Sequence, residues 1–190
     1  MKRMMMIGSV AFALTAAPAF AQTAPVQPKP QSTTATHDMS KKGPADEHFI
    51  KEAAIGGMAE VELGKMATEK GQSAEVKRFG QKMADDHAKA NDELKSLAGT
   101  KNVTLPTEID AKHKAVADRL SKLSGDAFDR AYMQAMLKDH REDVAAFRTE
   151  SKSGKDSEVK AWAGKTLPTL EEHLKMAEDT NRAVGTSGKK

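Results

Sequence analysis

Four stretches of this chain carry apolar or small side chains at alternating steps of three and four. That spacing puts them on one side of an α-helix and does not fit the two-residue period of a strand. The second stretch is the plainest: between Ser73, a capping residue, and Gly99, one seam is formed by Val76, Gly80, Met83, His87, Ala90, Leu94 and Leu97. The first, Asp46 to Lys70, lines up Phe49, Ala53, Gly56, Ala59, Leu63, Met66 and Ala67, with Asp46 as the expected N-cap and Gly71 as the stop. The third, Asp126 to Ser151, aligns Met133, Leu137, His140, Val144 and Phe147. The fourth, Asp156 to Ala183, aligns Val159, Trp162 or Ala163, Thr166, Leu170, His173 and Ala177. Aromatic residues are only 4% of the chain and no segment alternates like a strand, so the pattern predicts an all-α fold.

The connections decide how four such helices are joined. The first-to-second and third-to-fourth links are short, which makes each pair an antiparallel hairpin. The middle link, TKNVTLPTEIDAKHKAVADRLSKLSG, contains Pro106 and then a short amphipathic helix through Ile109, Val116, Leu120 and Leu123. It is long enough to cross the length of a bundle. The spacing therefore predicts a ferritin-like four-helix bundle, its long crossover carrying a short helix between the second and third long helices. An up-down bundle capped by the short helix is the other arrangement the spacing allows.

The ends read differently from the domain. Residues 1–21 have a basic start at Lys2 and Arg3, an apolar run, and Ala19-Phe20-Ala21 before Gln22, the pattern of a secretory signal peptide cleaved at about Ala21-Gln22. The expected destination is the periplasm or the medium. Residues 22–45, rich in Pro, Thr, Gln and Ser, are expected to be a disordered linker, because they bury too little apolar surface to offset ordering. The bundle domain is then 46–184, with a flexible tail at 185–190. No later segment approaches the ~20 apolar residues of a spanning helix, so no transmembrane segment is expected in the mature chain. The absence of cysteine rules out disulfides and leaves stability to packing. Residues 46–185 carry 23 bases and 26 acids, a net charge of −3, so the electrostatic footprint of a nucleic-acid partner is missing.

Three histidines interrupt the seams. His87 lies 14 residues after Ser73, His140 lies 14 after Asp126, and His173 lies 17 after Asp156, each near the middle of its helix. At ~1.5 Å per residue they should meet at one level of the bundle axis, whichever way each helix runs. Glu60, 14 after Asp46, reaches that level on the flank of the first helix, and Glu62 on the opposite flank. Three imidazoles and a carboxylate make a plausible set of ligands for one transition-metal ion such as Zn, Cu or Fe. Asp143, at i+3 from His140, is the best additional ligand. Asp86, Asp139 and Glu172 precede the histidines, and neighbours on a helix diverge by about 100°, so they should support a metal site rather than join it. The alternative is a polar layer whose members hydrogen-bond one another. His48 and His113, near helix starts, are expected to be exposed.

Methionines accompany the layer. Met83 and Met136 lie at i−4 from His87 and His140, and Met176 at i+3 from His173, so in the crossover topology all three fall on the same side of it. Thioethers would favour copper, although methionine is also a common core filler. Pro168, within the fourth helix, removes one backbone hydrogen bond five residues before His173.

GGMAEVELGKMA at 56–67, VKRFGQKMADDHAKAND at 76–92, FDRAYMQAMLKDH at 128–140 and KTLPTLEEHLKMA at 165–177 resemble the bacterial family known as domain of unknown function 4142. The resemblance spans essentially residues 46–180 and implies an exported ferritin-like domain, without an established activity. Di-iron bundles place Glu three residues before His on two helices. Here Ala84, Leu137 and Leu170 stand there instead, so ferroxidase and iron-storage chemistry lose their ligands. No nucleophile and base, phosphate loop or carboxylate pair stands out, so hydrolase or kinase chemistry has no support, and a redox enzyme would require an open coordination position. Two readings result: an exported binding module for a transition metal or small ligand, or an envelope stress or interaction protein with a structural polar layer.

Overall fold

Seryl and aspartyl caps set most of the helix starts. The computed structural model describes residues 43–187, and five helices occupy them: α1 (Pro44–Lys70), α2 (Ala74–Thr100), α3 (Ala111–Ser121), α4 (Gly125–Ser153) and α5 (Ser157–Ser187). The Ser73 hydroxyl accepts from the Val76 N–H at 3.1 Å, and Asp110 accepts from the His113 N–H at 2.8 Å. Asp156 takes the Glu158 and Val159 N–H groups at 2.9 and 3.1 Å. Helix α1 departs from expectation, because Pro44 already suits the first helical turn and the cap is Gly43 rather than Asp46. Asp46 sits inside that turn, takes the Gly43 N–H at 2.8 Å, and reaches across to the Lys155 N–H at 2.8 Å. Helix α5 also runs past Ala183, to Ser187, and passes through Pro168 without interruption. The expected signal peptide and almost all of the expected linker lie outside the described residues.

Two apolar clusters fix the topology. One gathers Leu63 and Ala67 of α1, Val76, Phe79 and Met83 of α2, Leu120 of α3, Phe128 to Met136 of α4, and Ala177 of α5. The other gathers Ile50 and Ala54, Leu94 and Ala98, Val144 and Phe147, then Val159 to Leu170. Each long helix therefore passes from one cluster to the other. Helices α2 and α4 leave the first cluster as they proceed, while α1 and α5 enter it, so α2 and α4 are parallel. Val103 belongs to the second cluster and Leu120 to the first, so the link carrying α3 climbs the bundle. This is the ferritin-like crossover arrangement rather than the capped up-down one.

Helices α1 and α2 touch backbone to backbone. A Cβ at Gly64 would lie 2.5 Å from the Gly80 carbonyl oxygen and 2.9 Å from the Ala84 nitrogen. Because the pair is antiparallel, one turn down α1 from Gly64 is Glu60, and it faces one turn along α2 from Ala84, where His87 stands. The close crossing thus sets the level at which both groups enter the interior.

A carboxyl group ties the far end of the bundle. Glu150 is 8% exposed, and burial, then a hydrogen bond with Asp46, pushes its carboxyl up to about 7. The folded state binds this proton more tightly than the unfolded chain, so stability falls as pH rises from about 4.5 through about 7. Glu150→Gln keeps a donor for Asp46 and removes that fall. At pH 8 the variant should be stabler by about 1 kcal/mol after allowance for solvent screening, some 2–4 °C in thermal melts. At pH 4.5 the advantage should vanish.

Candidate metal centre

The three seam histidines meet between the two apolar clusters. His87, His140 and His173 are 7%, 0% and 1% exposed, and one ring nitrogen from each lies within 4.8 Å of the others. Ring centroids are 5.7 Å apart for His87 and His140, 5.4 Å for His87 and His173, and 5.5 Å for His140 and His173. The three are near-equidistant around the axis.

Hydrogen bonds on the outward nitrogens fix two of the rings. The Met136 carbonyl can only accept, so His140 donates from Nδ1 to it at 3.0 Å, which leaves Nε2 with a lone pair. His173 donates from Nε2 to Asp86 at 2.7 Å, which leaves its Nδ1 as the acceptor. Both of those acceptor nitrogens, and Nε2 of His87, are buried without a partner. The His140 and His173 acceptors cannot hydrogen-bond each other, and a neutral His87 could donate to only one of them. A cation or a proton is what such a layer lacks, and protonation is disfavoured. Burial first, then the neighbouring imidazoles, lowers His87 to about 3, and burial then His173 lowers His140 to about 4. Burial also lowers His173, against the opposing pull of Asp86. At neutral pH all three rings are uncharged.

Support around the layer comes from acids on neighbouring helices. Asp86 holds His173 of α5 from α2, and Lys82 holds Asp86 at 2.9 Å. Burial opposes the Asp86 charge, but the bonds from His173 and Lys82 keep it below the ordinary carboxylate range. Glu60 is fully buried, its Oε1 is 3.5 Å from His140 Nδ1, and neither carboxyl oxygen has a hydrogen-bond partner. It backs His140 rather than closing the ring of three, contrary to the expectation of a fourth member. Burial, then Asp139 and Asp143, raises the Glu60 carboxyl well above its ordinary value.

Other expected positions divide. Asp143 lines a small cavity together with His87 and His173 and stands outside the three-nitrogen group. Glu62 is exposed on the outside of α1 and does not face the layer, because the seam turned Glu60 inward and a two-residue step on a helix is about 200°. Glu172 is exposed as well, 3.6 Å from Lys82. Met83 and Met136 are buried in the first cluster, and Met176 packs against it, all on one side of the histidines. His48 is exposed as expected, but His113 is not. It pairs through Nδ1 with Asp110 at 2.6 Å and faces Asp139 from Nε2 at 3.8 Å. The Asp139 contact is the chief cause of a raised His113 pKa. The crossover helix packs over α4 at this point, which spacing along a single helix did not reveal.

Two site features were missed from sequence. The Asp86 contact with His173 depends on the register between α2 and α5, and no intrahelical spacing encodes it. The cavity is signalled only by the adjacent pair Gly56-Gly57, where α1 presents no side chain.

The profile of the family described as Domain of unknown function (DUF4142) matches residues 28–180. No curated protein matches the chain. Among solved structures, a DUF305 fragment from Deinococcus radiodurans superposes with a TM-score of 0.66 at 16% identity, covering 77% of this chain and 99% of that one. A putative secreted DUF305 protein from Streptomyces coelicolor gives 0.63 at 16% identity, covering 74% and 94%. CopM in its Cu(II)-bound form gives 0.62 at 16% identity, covering 73% and 96%. At such identities the likeness is one of fold.

Proposed function

This chain belongs to the DUF4142 family, and we infer that its histidine layer holds one transition-metal ion in an exported binding module. The observation that carries this reading is the set of three buried imidazole nitrogens without partners at one level of the bundle. A polar layer that served only structure would close its hydrogen bonds, because each buried acceptor left alone costs ~1–3 kcal/mol. Metal–nitrogen bonds of ~2.0–2.1 Å require the nitrogens to stand about 3.3–3.6 Å apart, a short inward step from the present separation.

His87, His140 and His173 supply the donors. Asp86 and the Met136 carbonyl orient two of them, as carboxylate and backbone partners of metal-bound histidines do. Glu60 supplies the nearest compensating charge once a cation disfavours its proton. An all-imidazole set suits copper or zinc better than iron, which prefers carboxylate in such bundles. The thioethers of Met83 and Met136 on one side of the layer, and the shared fold of CopM with its Cu(II)-bound form, favour copper. Export fits the basic start, apolar run and Ala19-Phe20-Ala21 of residues 1–21. No described helix is long and apolar enough to cross a membrane. Binding, rather than turnover, is the role this site supports.

Metal analysis of untagged protein tests the reading, and Trp162 offers a direct signal. It is the single tryptophan and lines the same cavity as His87 and His173. Cu(II) should quench its emission with an end point at one ion per chain, and Zn(II) should compete without quenching. Protein that purifies metal-free and shows no response to added Cu, Zn, Fe or Ni would remove the proposal.

A further inference from the structure

On the side of the layer away from the methionines, His87 and His173 form one wall of a cavity of about 30 Å³, while His140 takes no part. That is more than the ~10–15 Å³ one water needs, and it suits a molecule of two or three non-hydrogen atoms. Gly56 also lines it, and a Cβ there would meet nothing within 4 Å. Trp162 also lines the space, and its indole Nε1–H is buried without a partner. An indole N–H only donates, so what belongs beside it is an acceptor. Asp143 lines the cavity too, beside Asp86, whose carboxylate is taken up by His173 at 2.7 Å and Lys82 at 2.9 Å. A surface groove between α2 and α5 shares Asp86, Ala90, Thr166 and Thr169 with the cavity, so the two adjoin.

We propose that this cavity is a binding site for a small anion, hydroxide or a linear pseudohalide, bound to the metal on the side bounded by His87 and His173 and hydrogen-bonded by Trp162. The proposal rests on the metal reading above. Three imidazoles would leave a tetrahedral ion one position short, and the cavity beside His87 and His173 would offer that position space and a donor. An anion there also offsets cation charge that three neutral ligands do not.

Azide is the probe, titrated into untagged protein loaded with Cu(II) and followed by its charge-transfer absorption and by electron paramagnetic resonance. Wild type should form a saturable complex with copper retained. Gly56→Leu adds a side chain to the cavity lining at a residue that is not a metal ligand; it should bind copper as before, yet weaken azide by at least ~10-fold. Trp162→Phe should weaken it roughly 3–10-fold, the value of one hydrogen bond. Azide that does not bind the wild-type copper form, or binds both variants as tightly as wild type, overturns the proposal. Failure to load copper, measured beforehand, would instead strike at the metal reading itself.

Discussion

One equivalent of Cu(II) should raise the melting point of the untagged protein by about 10 °C, and His140→Leu should abolish that rise while making the metal-free protein more stable. An ion present at ~1,000 times its Kd stabilises the folded state by about 4 kcal/mol, which is ~8–16 °C for a domain of this size. His140 contributes a fully buried nitrogen without a partner, so an apolar side chain of similar volume should gain about 1–2 kcal/mol in the absence of metal. A histidine that served only packing would not separate the two effects. Acid supplies an independent check. With folded values near 3 and 4 for His87 and His140, the unfolded chain binds more protons below about pH 6.5. Stability is therefore fully present above that pH and lost as it falls, by up to ~1.4 kcal/mol per unit for each imidazole. His140→Leu should shift the acid unfolding midpoint to lower pH. A variant that melts lower without metal and keeps the copper response would contradict the assignment.

Gly64→Ala should destabilise the protein by about 2–3 kcal/mol, an effect opposite in sign to that of the same change at Gly56. Alanine is favoured over glycine inside a helix by ~1 kcal/mol. At Gly56 the added carbon meets open space, so that gain should appear as a higher melting point. At Gly64 it would stand 2.5 Å from the Gly80 carbonyl oxygen, a backbone atom that cannot rotate away. Helices α1 and α2 must then separate, and overpacking of this kind outweighs the propensity gain. Denaturant melts of the two variants measure the difference directly. Equal stability for both would mean that the crossing yields more easily than close backbone contact implies.

The seams made most of the fold legible. His87, His140 and His173 each sit on a stripe whose three-and-four spacing survives translation into the bundle, so their common level followed from helix rise alone. The long link with Pro106 and α3 separated the crossover topology from a simple hairpin bundle, although it left the capped up-down alternative standing until Val103 and Leu120 fell in different clusters. Asp46 was misplaced as a cap because Pro44 starts the helix earlier. His113 was misjudged because its partner Asp139 belongs to another helix.

Sequence by itself determined the helical period, the hairpin pairs, the absence of disulfides and the inward turn of three histidines, all properties of spacing along one chain. Only the tertiary structure decided how those rings are used. The bonds that fix the tautomers of His140 and His173 come from the Met136 carbonyl and from Asp86 on another helix, and the approach of α1 depends on a backbone contact at Gly64. Hydrogen-bond direction and cavity shape are set by register between helices, and register is an outcome of packing rather than of local sequence.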